Sequence, residues 1–209
     1  MTDYMTIVYT SGTTGIPKGA VHTHLTFNSA ICRDLKDTPN FNQGDKVLSF
    51  LPLSHTYERE CGHGCAMMAA ATIAYTTPKD MVQDFQLFKP QIFVSVPRLY
   101  ERVYLAMKDM ASKNFISRVI FNAAMKTGLK IVETKADQHG FIEMDEHTDL
   151  SEGAGFWLGF KYRIFNRIVF SKVRERFGGR MRMAFSAAGS LPADLCKTFM
   201  AMGFTILEG

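Results

Sequence analysis

No run of apolar residues in this chain is long enough to cross a bilayer. The longest stretch free of charged side chains, Cys61 to Pro78, falls short of the ~20 residues a span needs and is rich in Gly, Ala and Thr. It reads as a buried helix followed by a strand. Cysteine is sparse and scattered, at positions 32, 61, 65 and 196, which excludes a dense disulfide framework. Cys61-Gly62-His63-Gly64-Cys65 offers zinc only three ligands, with no second pair at a suitable spacing. Cysteines four residues apart share a helix face, so packing is the expectation there. Neither sign of charge dominates: a net charge of +4 on 209 residues does not argue for nucleic acid. No Gly-x-Ser-x-Gly elbow occurs, so Ser54-His55 is not read as a hydrolase pair. Nor does a signal peptide open the chain, and a reducing cytoplasm is the expected location.

What is present is concentrated in Tyr9-Thr10-Ser11-Gly12-Thr13-Thr14-Gly15-Ile16-Pro17-Lys18-Gly19. The hydroxyls of Thr10, Ser11, Thr13 and Thr14 are donors that rotate to suit phosphate oxygens. Gly12 and Gly15 let backbone amides approach an anion closely. Lys18 adds a compact positive charge on a flexible stem. A polyphosphate suits this cradle. It is not a Walker loop, which needs Gly before the lysine and a hydroxyl after it; here Pro17 precedes and Gly19 follows. Tyr4–Tyr9 and Ala20–His22 read as strands on either side, so the loop is expected between two strands rather than at a helix start.

The string Tyr9–Gly19 resembles the phosphate-loop signature of the adenylate-forming (AMP-binding) superfamily. Leu51-Pro52-Leu53-Ser54-His55-Thr56-Tyr57-Glu58-Arg59 and Val96-Pro97-Arg98-Leu99-Tyr100-Glu101-Arg102 resemble its long-chain fatty-acid–CoA ligase branch. The likeness runs from Ile7 to Gly209. It implies part of the large N-terminal domain of an acyl-CoA synthetase, with ATP, Mg2+ and coenzyme A as cofactor and co-substrates. A fatty carboxylate would attack ATP to give acyl-adenylate and pyrophosphate, and coenzyme A would then displace AMP. The resemblance assigns the β- and γ-phosphates to Thr10, Ser11, Gly12, Thr13, Thr14, Gly15 and Lys18, and a metal contact to Thr10. His55 would line the acyl pocket near the reacting carboxylate. Ser186-Ala187-Ala188-Gly189-Ser190-Leu191 is similar to the adenine-side turn, with alanines replacing two glycines, and implies nucleotide contact at Ala188, Gly189 and Ser190, with Gly209 beyond them. The family's metal-binding glutamate, ribose-binding aspartate and C-terminal lid domain with its lysine would all follow Gly209. The expectation is therefore a fragment, inactive alone. The alternatives are a non-catalytic nucleotide-binding module, or a ligase for aromatic or medium-chain acids.

Along the chain, strands and helices alternate through the first half. A helix from His24 capped by Thr23, strands over Val47–Leu51, Ala71–Tyr75 and Gln91–Val96, a helix over Lys79–Phe88 and Pro97 in the first turn of a helix give an α/β fold with largely parallel sheet layers and flanking helices. Residues 98–180 read as a helical insertion, broken near Lys113-Asn114. Within it, Glu133 to Glu152 reads as an exposed acidic loop. Phe156 to Phe177 is helical, stopped by Gly178-Gly179. Its Lys161, Arg163, Arg167, Lys172, Arg174 and Arg176 alternate with aromatic and aliphatic residues. Because apolar residues cover much of its circumference, packing on the core with a solvated basic face is expected, with peripheral contact to an anionic membrane through 156–177 as the alternative. Met181–Phe185 and Phe204–Leu207 close the reading as strands around a helix over Pro192–Met202.

Overall fold

The computed structural model describes residues 2–10, 15–37, 41–137, 142, 144 and 148–209, in two compact units, Met1–Met81 and Val82–Gly209.

In the first unit, β1 (Tyr4–Tyr9) pairs antiparallel with β2 (Gly19–Thr23), Tyr9 opposite Gly19. The expected strand–loop–strand arrangement holds. Helix α1 (His24–Asp37) begins where Thr23 and Thr26 cap each other: the Thr26 N–H donates to Thr23 Oγ1 at 3.2 Å and the Thr23 N–H to Thr26 Oγ1 at 3.0 Å. This is the reciprocal logic of a capping box, with threonine in place of the usual glutamate. Phe27 and Ile31 of α1 are buried with Cys65. Strand β3 (Lys46–Ser49) runs parallel to β4 (Thr72–Tyr75). Between them lie a π-helical segment, Glu58–Gly64, and the short α2 (Cys65–Met68). Sequence periodicity indicated a helix here; the wider winding was not legible.

The second unit holds a parallel sheet in the order β5 (Ile92–Ser95), β6 (Met183–Ser186), β7 (Ile206–Glu208). All four residues of β5 are buried, as in a strand covered on both faces. Helix α3 (Met81–Phe88) starts at the unit boundary. Helix α4 (Pro97–Ser112) carries Pro97 at its first position, and α5 (Phe115–Lys135) follows a break at Lys113-Asn114, where Asn114 Oδ1 accepts the Ile116 N–H at 2.9 Å. After α5 come α6 (Phe156–Phe165), a second π-helical segment Asn166–Phe170, and α7 (Ser171–Arg176). Gly178 ends this run at φ +86°; a side chain there would also meet Phe85 O at 2.5 Å, so glycine is required twice over. Helix α8 (Ala193–Ala201) leads to β7. Among the core residues Phe170, Phe199, Ile131, Val132 and Met202 are almost wholly buried.

Parallel strands with intervening helices bear out the α/β expectation. The acidic-loop expectation needs correction where it can be read. Glu133 to Lys135 belong to α5, because buried Ile131 and Val132 draw the helix onward. Leu150 and Ser151 are buried, and Ile142 and Met144 pack against the core. Arg163 Nε donates to Ser151 Oγ at 3.0 Å. Glu143, Asp145 and Glu146 lie outside the described residues. The helices from Pro97 to Arg176 share a unit with β5, β6 and β7.

Candidate functional site

The neck of the hydroxyl-rich loop is closed by two hydrogen bonds. The Thr10 N–H donates to Lys18 O at 3.0 Å, and the Lys18 N–H donates to Thr10 Oγ1 at 3.1 Å. Thr10, Gly15 and Lys18 are all exposed, which leaves the lysine side chain accessible to an anion. Ser11, Gly12, Thr13 and Thr14 lie outside the described residues. Among the described residues, the structure joins Thr10 and Lys18 directly.

His55 lies in the exposed turn after β3. Its Nδ1 accepts the Tyr57 N–H at 3.2 Å, so the neutral ring carries its proton on Nε2, which remains able to donate. The turn is braced by Glu58 and Arg59. Arg59 Nε donates to Leu53 O at 2.8 Å, and its Nη1 bonds Thr6 Oγ1 on β1. Arg59 therefore ties the His55 turn to the strand that leads into the phosphate loop. Glu58 is fully buried and accepts a short hydrogen bond from Ser49 Oγ at the end of β3. Its other oxygen, Oε2, has no hydrogen-bond partner among the described residues. Gly62 lies against this carboxyl group: a Cβ there would come within 2.8 Å of Glu58 Cδ. These brace residues were within a quoted motif but had no role assigned from the sequence. The one signal was Glu58-Arg59-Glu60 standing before a long uncharged run.

Burial raises the Glu58 carboxyl above the ordinary glutamate value of 4.5, and the Ser49 bond only partly opposes this. A group with a raised folded-state pKa favours folding fully below its unfolded value and loses that contribution as pH rises through the folded one. Glu58→Gln keeps the shape and removes the charge. Its stability relative to the unaltered protein should therefore increase as pH rises from acid toward neutral, measured by urea denaturation at several pH values. An unchanged difference across that range would contradict the assignment.

Cys61 donates to Asp34 Oδ2 at 3.5 Å. Burial, then the Asp34 carboxylate, push the Cys61 thiol up and the Cys65 thiol to about 12. Protonated thiols suit packing better than ligation. Among the described residues, no group of three or more His, Cys, Asp or Glu side chains could hold an ion.

In the second unit Ala188, Gly189 and Ser190 follow β6, and Gly209 follows the neighbouring strand β7. The Gly209 N–H donates to Ser186 O at 3.1 Å, and the Leu191 N–H donates to Glu208 Oε1 at 2.9 Å. Ala188, Gly189 and Ser190 are exposed above buried Ser186 and Ala187. A side chain at Gly189 would touch only Pro97 Cγ, at 3.8 Å, so a flat face has room to settle there. Ala188 adopts φ +62°: the alanine is forced into the conformation that glycine takes freely. Ala188→Gly should raise stability by about 1 kcal/mol, read as a higher denaturation midpoint with an unchanged slope.

The family described as AMP-binding enzyme matches residues 1–209. The chain is 32% identical over 214 residues to "Long-chain-fatty-acid--CoA ligase FadD15" of Mycobacterium tuberculosis, covering all of this chain and 32% of that protein. It is 31% identical over 204 residues to "Long chain acyl-CoA synthetase 3" of Arabidopsis thaliana, covering 92% of this chain and 27% of the relative. The chain thus spans about a third of the length of the curated relatives it matches. Among solved structures, the inhibitor-bound N-terminal domain of FACL13 from Mycobacterium tuberculosis superposes with a TM-score of 0.59 at 17% identity, covering 100% of this chain and 37% of that one. ATP-bound MatB from Rhodopseudomonas palustris gives 0.55 at 20% identity, with 97% and 28% covered. These two likenesses speak for the fold alone. Matched along its whole length, the chain belongs to the AMP-binding enzyme family.

Proposed function

We propose that this chain supplies the phosphate loop, the acyl-side histidine and the adenine-side turn of an AMP-forming long-chain fatty-acid–CoA ligase. The observation that carries the reading is the loop neck: Thr10 and Lys18 are bonded to each other, at 3.0 and 3.1 Å, across a strand–loop–strand unit. That closure joins the two ends of the hydroxyl-rich loop and leaves Lys18 at an exposed position, where it would meet an incoming polyphosphate. Family membership and the ligase names of the relatives support the same assignment.

The chemistry follows from charge. When a carboxylate attacks the α-phosphorus of ATP, negative charge spreads toward the departing pyrophosphate. Lys18 and the loop donors would neutralise it. The His55 Nε2–H would donate to the reacting carboxylate and hold its oxygen toward phosphorus. The exposed turn at Ala188-Gly189-Ser190 would receive the purine face. Thr10 Oγ1 already accepts one hydrogen bond and keeps a second lone pair, so it fits as one oxygen ligand of Mg2+. Such an ion takes most of its ligands from phosphate and water, which a single protein hydroxyl suits. When bound, Mg2+ supplies further neutralisation of the phosphates.

The test is ATP–pyrophosphate exchange by the protein containing this chain, run over carboxylic acids of increasing length. Exchange rising to a maximum with long-chain acids such as palmitate supports the reading. A maximum with aromatic or medium-chain acids moves the substrate class, and nucleotide binding without exchange for any acid leaves a non-catalytic binding module.

A further inference from the structure

Within the first unit, Arg59 meets both halves of the candidate site. Its main-chain N–H donates to His55 O at 3.1 Å, and the His55 N–H donates to Pro52 O at 2.9 Å. The turn carrying His55 is thereby wound onto the start of the π-helical segment. Arg59 Nε closes the same turn at Leu53 O, 2.8 Å away. The other arm of the guanidinium, Nη1, donates to Thr6 Oγ1. Neighbouring Glu58, buried and bonded to Ser49 at the end of β3, fixes the base from which Arg59 reaches out. Among the described residues Arg59 pairs with no carboxylate, so its grip rests on two neutral oxygens and on the planar fork that spans them.

The place where that grip lands on β1 is a particular one. Pairing with β2 is irregular between Tyr4 and Thr6, then runs unbroken: Thr6 opposite His22, Ile7 opposite Val21, Val8 opposite Ala20 and Tyr9 opposite Gly19. Irregularities of this kind re-aim side chains beside functional sites. From Thr6 onward the ladder continues into the Thr10–Lys18 neck, so a shift at Thr6 is carried to the phosphate loop. Four residues at about 3.4 Å each put the neck about 14 Å along the strand. That exceeds the ~8 Å over which exposed charges act at physiological salt, so Arg59 reaches the loop through the strand rather than through its field. We propose that Arg59 is a positioning residue of the ligase reaction. By holding Leu53 O and Thr6 Oγ1 at once, it sets the spacing between a carboxylate at His55 and a triphosphate at the loop. Attack needs the reacting atoms about 3–3.5 Å apart, and a misplacement of about 1 Å costs on the order of 10²-fold in rate. The inference rests on the ligase reading and names the residue that brings its two half-sites into register.

ATP–pyrophosphate exchange is measured over a range of ATP and acid concentrations, with the protein containing this chain. Arg59→Lys keeps the charge and removes the fork; Arg59→Met keeps the length and removes both. Each should lower the maximal exchange rate by about 10²-fold, with both half-saturating concentrations within about threefold of the unaltered values. Thr6→Val removes only the acceptor on β1 and should lower the rate by about tenfold, while Thr6→Ser restores it. Thr6→Val is isosteric and leaves Arg59 on Leu53 O, so it tests the link even where an Arg59 variant folds poorly. Arg59→Lys combined with Thr6→Val should be no slower than Arg59→Lys alone, because both break one contact. A full rate in Arg59→Lys overturns the proposal, since charge alone then suffices. Equal losses in Thr6→Ser and Thr6→Val overturn it too, as does weaker saturation at an unchanged maximal rate. No exchange by the unaltered protein with any acid removes the ligase reading and this inference with it. Normal exchange in both the unaltered protein and Thr6→Val removes the inference alone.

Discussion

Lys18→Ala is expected to lower ATP–pyrophosphate exchange by about 10²–10³-fold, the range seen when a positioned charge-stabilising donor is removed from a transition state. The lysine backbone is fixed at both ends of its peptide unit, through Lys18 O to Thr10 and through Lys18 N–H to Thr10 Oγ1. Its side chain is solvent-exposed and is not spent on an internal ion pair among the described residues. A unit charge about 4 Å from a phosphate oxygen near a protein surface is worth several kcal/mol before screening, enough to account for the expected loss. Truncating the side chain leaves the neck bonds in place, because they are main-chain and threonine bonds. The variant should therefore fold normally and lose rate more than nucleotide affinity. Lys18→Arg should recover only part of the activity, since a planar guanidinium on a longer stem does not reproduce a point charge. Exchange within about threefold of the unaltered protein would remove Lys18 from the chemistry, together with the loop assignment built on it.

The second large effect belongs to the core. Phe170→Ala should destabilise the protein by about 3–5 kcal/mol, the range for removing a buried aromatic ring. Phe170 has no exposed surface. Its ring lies 5.8 Å from that of Tyr162, whose hydroxyl donates to Ala201 O at 3.2 Å and so links α6 to α8. The cavity is walled by helices on several sides, which limits collapse and keeps the cost near the upper end. Phe170→Leu should recover more than half of the loss. Urea denaturation measures both, and a loss below about 1 kcal/mol for the alanine variant would contradict the packing described.

Much of this was legible because the governing signals are local. The apolar run Ile92–Ser95 has the length and composition of a covered strand, and it is one. Asn114 announces a helix start through its side-chain acceptor, and α5 begins there. The loop between β1 and β2 was read from its residue types alone. The features that escaped depend on distant partners. Arg59 meets Thr6 from 53 residues away, a pairing no local window contains. Glu58 in isolation suggests a surface acid; its burial comes from β3 and from the absence of a side chain at Gly62. Likewise, periodicity shows which residues of Phe156–Phe177 share a face but not what covers that face. The weighing of core against solvent for Trp157 therefore needed the structure, which leaves it 72% exposed. Ala188 stands where the resembling turn has glycine, and the turn imposes the glycine conformation on it at φ +62°.

The π-helical winding over Asn166–Phe170 comes too late to straighten the row of exposed apolar side chains Phe156, Phe160, Ile164 and Ile168. In an ordinary α-helix, with 3.6 residues per turn, side chains repeated every four positions overshoot by about 40° at each step and spiral around the cylinder. Phe156, Phe160 and Ile164 all lie in α6, so two such steps carry Ile164 about 80° around from Phe156. Only the last step, to Ile168, enters the π winding, which holds more residues in a turn and arrests the drift. The row is a screw that straightens at its end, and Phe170, two residues further on, is turned wholly inward.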